Sequence, residues 1–176
     1  SNFLDLNNLK FLIFHYDEKW EIKSYSKLFK KASNFTNISI NKNAFENFLI
    51  ELSKKTSQNI IVTTGTVQTN LINEVKNSSK KINESLYELD LKGLKGYLFT
   101  NEDFYSISHL ISKSSQFISC HGAFTHIASN YKIKILDVIE KSKIIHYGKI
   151  TYSMKNYKSL YRDNFETISK DIIKYS

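Results

Sequence analysis

The stretch FISCHGAFTHIASNYKIKILDVI, residues 117–139, decides the fold class of this 176-residue chain. Phe117–Cys120 is a short, largely apolar run typical of a buried strand, and Ile133–Ile139 is a second such run. Between them, apolar side chains recur at helical spacing at Phe124, Ile127, Ala128 and Tyr131. A strand, a helix and a strand in this order predict a crossover between two parallel strands.

The same alternation runs through the rest of the sequence. Further strands are expected at Leu9–Tyr16, Ile60–Thr64, Leu86–Leu89 and Tyr97–Phe99. Helices are expected at Asn43–Ser57 and along the stripes Val67/Leu71/Val75, Phe104/Ile107/Ile111 and Phe165/Ile168/Ile172. Their expected starts are Asn43 with Glu46, Thr100 with Asp103, and Asp163 with Glu166. Residues 21–42 read mostly as loop, with a short β-like run at residues 37–40. The pattern predicts one α/β domain over residues 1–176, a Rossmann-like three-layer α/β/α sandwich with a mainly parallel sheet.

Composition narrows the class of protein. No apolar run approaches the ~20 residues of a membrane helix, and residues 1–8 lack the pattern of a signal peptide. The single cysteine, Cys120, suits a reducing compartment, so we expect a cytoplasmic protein. The formal charge of +8 attracts anions, including nucleotides, nucleic acid and lipid surfaces. Because the lysines are scattered, a solvated surface is the simpler interpretation.

Two glycine turns follow predicted strands, at the edge of a parallel sheet where ligands bind. The loop Ser119–His126 precedes a helix, whose free N–H groups suit a phosphate. There Thr125, His121 and His126 add hydrogen-bonding groups. The loop Thr63–Thr66 could wrap a diphosphate or ribose. The alternative is structural, because a glycine can simply relieve a tight turn and threonines are common in strands.

Other chemistries find little support in the sequence. Cys120 and His121 are adjacent on an extended strand, so their side chains point to opposite faces and do not pair easily. These residues with His126 lack the usual spacing of zinc ligands, and we predict no metal site and no cofactor. Neither G-x-G-x-x-G nor the Walker loop occurs. Aromatic and basic residues do not interleave into a nucleic-acid platform.

The order of motifs resembles the C-terminal, donor-binding half of a GT-B glycosyltransferase, closest to the lipopolysaccharide heptosyltransferase family. The segment HGAFTHIA, residues 121–128, matches the spacing of the family hallmark Asp-Ser/Thr-Gly-x-x-His, and residues 135–138 match the following strand. Upstream, Phe14-His15 with Lys19-Trp20, and residues 61–65, resemble the first two strands and their turns. The hallmark positions hold His121, Gly122 and Ala123 instead of the family residues, and His126 alone is retained.

The resemblance implies one half of a GT-B fold and a site for a nucleotide-sugar donor. The expected donor-binding residues are Lys19, Thr64, Gly65, Thr66, His121, Gly122, Ala123, Thr125 and His126. The catalytic residues are not identified. The resemblance also implies a separate N-terminal acceptor-binding domain, and an acceptor in surface-polysaccharide synthesis that can lie at the inner membrane face. The alternative is a non-catalytic domain that binds a nucleotide or a partner protein.

Overall fold

The computed structural model describes residues 9–21, 35–38, 40–101 and 103–176. The strands are β1 (Phe11–Tyr16), β2 (Asn59–Thr64), β3 (Lys80–Lys81), β4 (Leu86–Leu91), β5 (Leu94–Phe99), β6 (Gln116–Cys120), β7 (Lys134–Ile139) and β8 (Tyr157–Tyr161). The α-helices are α1 (Lys42–Thr56), α2 (Asn70–Ser78), α3 (Phe104–Lys113), α4 (Ala123–Ala128), α5 (Ile144–Thr151) and α6 (Phe165–Tyr175), with 3₁₀ turns at Glu18–Trp20 and Lys141–Lys143. In these ranges no helix is long and apolar enough to cross a membrane.

The strands form one eight-stranded sheet in the order β3-β4-β5-β2-β1-β6-β7-β8. From β5 to β8 every neighbouring pair is parallel, whereas β3, β4 and β5 pair antiparallel. The chain moves from β1 to β2 and β5, and then α3 carries it back across to β6, on the other side of β1. The strand order therefore reverses between β1 and β6, the position where such sheets bind ligands.

Two apolar cores cover the two faces of the sheet. Alternate side chains of β1 pack into different cores. Phe14 belongs to the core beneath α1, α2 and α6, and Ile13 belongs to the core beneath α3 and α4. The first core also holds Trp20. Because both faces are covered, the central strands read as continuous apolar runs. The prediction of an α/β fold with a mainly parallel sheet flanked by helices is confirmed.

Several local predictions are wrong. Helix α1 begins at Lys42, one residue before the predicted start, and Asn41, two positions before Asn43, caps it by accepting from the amide of Ala44. The last helix is capped by Asn164 rather than Asp163. Phe104, expected on an inner helix face, is 51% exposed, because it is the first residue of α3. Tyr131 is 37% exposed, because α4 ends at Ala128, three positions before it.

Three elements have no counterpart in the sequence-based prediction: β3, α5 and β8. The two short strands expected near residues 86 and 97 are longer and form an antiparallel hairpin, with Lys92 and Gly93 both at positive φ in its turn. The expectation for residues 1–8 lies outside the described residues. Most of the loop expected at residues 21–42 also does, together with part of the β-like run at 37–40.

Candidate functional site

A crevice of about 200 Å³ opens at the carboxyl ends of β1 and β6. Its walls are the turn Asp17–Lys19 after β1, the turn Gly65–Thr66 after β2, and parts of residues 119–125 after β6. His15 closes its inner end. The crevice thus occupies the point where the strand order reverses, and three separate strand ends build it.

The turn after β1 places a cation at the crevice. Asp17 caps the 3₁₀ turn, because its carboxylate accepts from the amide of Lys19 at 3.1 Å. The same carboxylate forms an ion pair with the ammonium group of Lys19. The side chain of Lys19 keeps 21% of its surface exposed, against 3% for Asp17. An ammonium group has three N–H donors, so the pair leaves Lys19 able to contact an anion in the crevice.

Burial shapes the protonation of this pair. Desolvation raises the pKa of Asp17, and the neighbouring Lys19 opposes that rise only in part. Desolvation by itself lowers the pKa of the Lys19 ammonium group. The Asp17 carboxylate outweighs this effect, so the pKa is raised. Lys19 therefore stays a cation over the whole physiological range.

Two glycines let the walls come close together. A Cβ atom at Gly65 would lie 2.9 Å from Cβ of Asp17, and one at Gly122 would lie 2.9 Å from Nζ of Lys19. The φ of Gly122 is −174°, an extended value open to any residue. The missing Cβ at Gly122 therefore leaves room for the Lys19 ammonium group in its observed position, and no backbone strain is involved.

A buried carboxylate organises the far wall. Asp137 of β7 is fully buried, and its two oxygens accept from the hydroxyls of Thr125 (3.1 Å) and Tyr157 (2.8 Å). The same carboxylate lies 2.5 Å from Nδ1 of His121. Burial, followed by the Asp137 charge, raises the pKa of Tyr157, which therefore stays a neutral donor. The carboxylate thus fixes the ring of His121 and leaves its Nε2 atom directed away from Asp137.

His15 forms a neutral inner wall. Its Nδ1 atom lies 2.9 Å from Oγ1 of Thr63, and its ring packs edge-on against Phe124. Desolvation, assisted by the charge of Lys19, lowers the pKa of His15 to about 3. The residue is therefore uncharged at neutral pH and does not compete with Lys19 for an anion.

Arg162, just after β8, links the turn that carries Lys19 to the backbone at Thr36. Its Nε atom donates to the carbonyl of Thr36 at 2.7 Å, and Nη2 donates to the carbonyl of Lys19. Its Nη1 atom lies 3.5 Å from Sγ of Cys120. Arg162 is 7% exposed, and its guanidinium group fixes the backbone that carries Lys19.

Cys120 is not placed as a nucleophile. The residue is 3% exposed and belongs to the core beneath α1 and α6, whereas His121 pairs with Asp137. Desolvation raises the pKa of Cys120 to about 12, although Arg162 opposes the rise. The thiol therefore stays protonated, which argues against a cysteine-dependent hydrolase.

The nine predicted donor-binding residues divide into two groups. Six of them line the crevice: Lys19, Gly65, Thr66, Gly122, Ala123 and Thr125. The hydroxyl of Thr125, however, is used by Asp137 and by the amide of Gly122. Among the three residues outside the lining, Thr64 is buried and its hydroxyl lies 3.5 Å from Nε2 of Gln68. His121 lines a smaller adjoining pocket with Lys19, and the exposed His126 packs its ring against His121.

The sequence-based prediction missed the residues that hold the site in place. Asp17, Asp137 and Arg162 orient Lys19 and His121, but none follows a recognisable glycine turn. Asp137 was visible as a charge inside an apolar strand, a signal that indicates a paired buried group. In the described residues, no group of three or more His, Cys, Asp or Glu side chains could hold a metal ion.

Comparison of the chain with protein-family models, with curated proteins and with solved structures gives no match. The resemblance to heptosyltransferases therefore stays a prediction from the sequence. The crevice between β1 and β6 is the feature from which a function can be argued.

Proposed function

We propose that the chain binds the diphosphate of a nucleotide-sugar donor in the crevice between β1 and β6, as the donor half of a glycosyltransferase. The observation that carries the proposal is the Lys19 ammonium group, which pairs with Asp17 and lies beside Gly122 at the point where the strand order reverses. Arg162 fixes the backbone of the same turn by donating to the carbonyl of Lys19. Such a position is where open α/β sheets bind nucleotides. The sequence resemblance adds the class of reaction.

The size of the crevice suits the diphosphate alone. Pockets that hold whole drug-sized ligands span roughly 300–1,000 Å³, and this crevice measures about 200 Å³. The nucleoside and the sugar would extend along the carboxyl edge, past the turns that hold Thr66 and His121. Lys19 would offset the charge that develops on the departing diphosphate, the electrostatic role that often dominates such reactions.

Only a few of the charged and polar groups near the crevice favour the binding of an anion. Asp17 is paired with Lys19, and its pKa is raised, so it repels an anion less than a free carboxylate would. Glu18 also lines the crevice and would oppose a phosphate that lay beside it. Helix α4 has six residues, so its dipole adds little. Binding should therefore depend mainly on Lys19, with the backbone at Gly122 in support.

The first test is calorimetric titration of the chain with ADP, UDP, GDP, CDP and CMP. We expect saturable binding of one nucleoside diphosphate, weakened at least ~10-fold by Lys19→Met, because one lost charge-assisted hydrogen bond costs about 1.5–3 kcal/mol. Weaker binding of CMP would point to the diphosphate as the recognised group.

A glycine pair supplies the matched control. Gly122→Ala places a methyl group 2.9 Å from Nζ of Lys19, whereas a methyl group at Gly148 would meet no other atom within 4 Å. We expect Gly122→Ala to weaken nucleotide binding and Gly148→Ala to leave it unchanged. Equal effects of the two substitutions, or no binding across the panel by the folded chain, would contradict the proposed site. Binding of nucleotide without transfer from any donor would favour a non-catalytic binding domain.

A further inference from the structure

Helix α5 exposes most of its apolar side chains to solvent. Among the described residues, nine large hydrophobic side chains are exposed, and four of them lie between residues 144 and 152. They are Ile144 (44%), Ile145 (76%), Ile150 (39%) and Tyr152 (86%). Isolated exposed apolar residues are ordinary, but a concentration of them marks an interaction surface.

The same segment is strongly basic. We use the name α5 segment for residues 141–158. It contains five exposed lysines, at positions 141, 143, 149, 155 and 158, and no aspartate or glutamate. Of the flanking acids, Glu140 is buried and accepts from the amide of Thr36, and Asp163 is five positions beyond the segment. The segment therefore presents cations and apolar side chains together.

We propose that the α5 segment docks the protein on an anionic lipid bilayer. Isoleucine and tyrosine side chains would enter the headgroup region, while the lysines would contact acidic headgroups, the combination used by interfacial helices. Helix α5 has eight residues, so it would lie on the surface and not span it. A neutral or basic protein partner would leave the five lysines without counter-charges, and a second copy of this chain would bring the same positive charge.

Because of the position of α5, docking would also set how the crevice is oriented relative to the membrane. The helix follows the carboxyl end of β7, and the ring of Tyr147 lies 4.7 Å from the ring of His121. Docking would hold the carboxyl edge of the sheet, where the crevice opens, close to the lipid surface. A donor bound there would face substrates carried by the membrane.

The test is co-sedimentation of the whole chain with vesicles, measured without nucleotide so that it stands apart from the proposed function. One set of vesicles contains only phosphatidylcholine, and the other contains phosphatidylcholine with phosphatidylglycerol. We expect binding to the second set, little binding to the first, and a loss of binding as salt is raised. No binding to acidic vesicles at low salt by the folded protein would overturn the proposal.

Two variants separate the apolar and the charged contributions. Ile145→Asp and the triple change Lys141→Glu, Lys143→Glu and Lys149→Glu should each weaken binding at least ~10-fold. The control for Ile145→Asp is Ile82→Asp, in the loop between β3 and β4. The control for the lysine variant is the triple change Lys113→Glu, Lys132→Glu and Lys134→Glu, at exposed residues of the amino edge. Circular dichroism and thermal melting should show that all four variants fold.

Three results would contradict the proposal. Equal losses in the α5 variants and their controls would show a general charge effect. Binding that followed the lysines but ignored Ile145→Asp would indicate affinity for any polyanion. Self-association without lipid, abolished by Ile145→Asp in sedimentation-velocity runs, would assign the surface to a second copy of the chain.

Discussion

The Nδ1 atom of His121 lies 2.5 Å from a carboxylate oxygen of Asp137, one strand away and sixteen positions later in the sequence. The ring of His121 is thereby fixed at the mouth of the sheet, between His126 and Tyr147. The contact exists because β6 and β7 pair in a register that sets Ser119 opposite Asp137. The buried Asp137 carboxylate thus contributes both to the stability of the fold and to the geometry of the site.

Asp137→Asn should lower the free energy of unfolding by about 2 kcal/mol, because hydrogen bonds to a charged group contribute about 1.5–3 kcal/mol each. Asn keeps the shape but loses the charge that holds Thr125, Tyr157 and His121. Urea unfolding followed by fluorescence of Trp20 measures the change. Asp90→Asn, at an exposed position of β4, is the control and should cost far less; similar losses in the two variants would argue against the network.

His15 should make stability depend on pH. Its pKa is about 3 in the folded protein because of burial, and about 6.5 in the unfolded chain. Between these values the unfolded chain binds more protons, so stability is full above pH ~6.5 and falls as pH drops. The expected slope is up to ~1.4 kcal/mol per pH unit.

The measurement is urea unfolding between pH ~6.5 and ~5, above the range of ordinary carboxyl groups. His15→Gln should remove most of the slope there. His109→Gln, at an exposed histidine, should keep the slope of the parent protein. A slope of the same sign that survives in His15→Gln would mean that other groups cause it; Asp17 is not among them, because its raised pKa gives a slope of the opposite sign.

Cys120 should resist alkylation in the folded protein. With a pKa near 12 and 3% exposure, its thiolate fraction at pH 8 is about a thousandfold below that of a free cysteine. Mass spectrometry after iodoacetamide treatment should show unmodified protein, and full labelling in denaturant is the control. Rapid labelling of the native chain would restore Cys120 as a candidate nucleophile.

Arg162→Lys should loosen the turn that carries Lys19. Lysine keeps the charge but lacks the planar fork that reaches the carbonyls of Thr36 and Lys19. Hydrogen exchange at the amides of Trp20 and Glu21, which close the 3₁₀ turn, should accelerate at least ~10-fold. The amide of Phe45, at the start of α1, should not change; acceleration there as well would indicate global destabilisation.

The sequence predicted the parallel core well because buried strands have a simple pattern. β1, β2, β6 and β7 are continuous apolar runs, which the topology covers on both faces. The strand β8, YKSLY, is missed because it lies at the sheet edge and half of it faces water. Helix α5 is missed because its apolar residues are exposed and form no inner stripe.

The hairpin and the site needed information that is not local. The turn Lys92-Gly93 joins β4 and β5 with two residues at positive φ, where Asn-Gly is the stronger signal. Some crevice residues can be proposed from the sequence: Gly122 from the glycine turn after a strand, and Lys19 from the resemblance of Lys19-Trp20 to the heptosyltransferase pattern. Asp137 and Arg162 reach them through strand register and the order of strands, which local patterns do not specify.

The hydrogen bonds of Arg162 also determine at which stage of synthesis the complete crevice can form. They join positions that are 126 and 143 residues apart in the sequence. Synthesis on the ribosome proceeds from the N-terminus, and distant contacts form only after both partners have emerged. A nascent chain released as far as β7 would hold most of the sheet, yet the Lys19 turn would lack its anchor. If the proposed donor binds in the crevice, it would stabilise this domain only after Arg162 has emerged, and the earlier stages of folding would proceed without it.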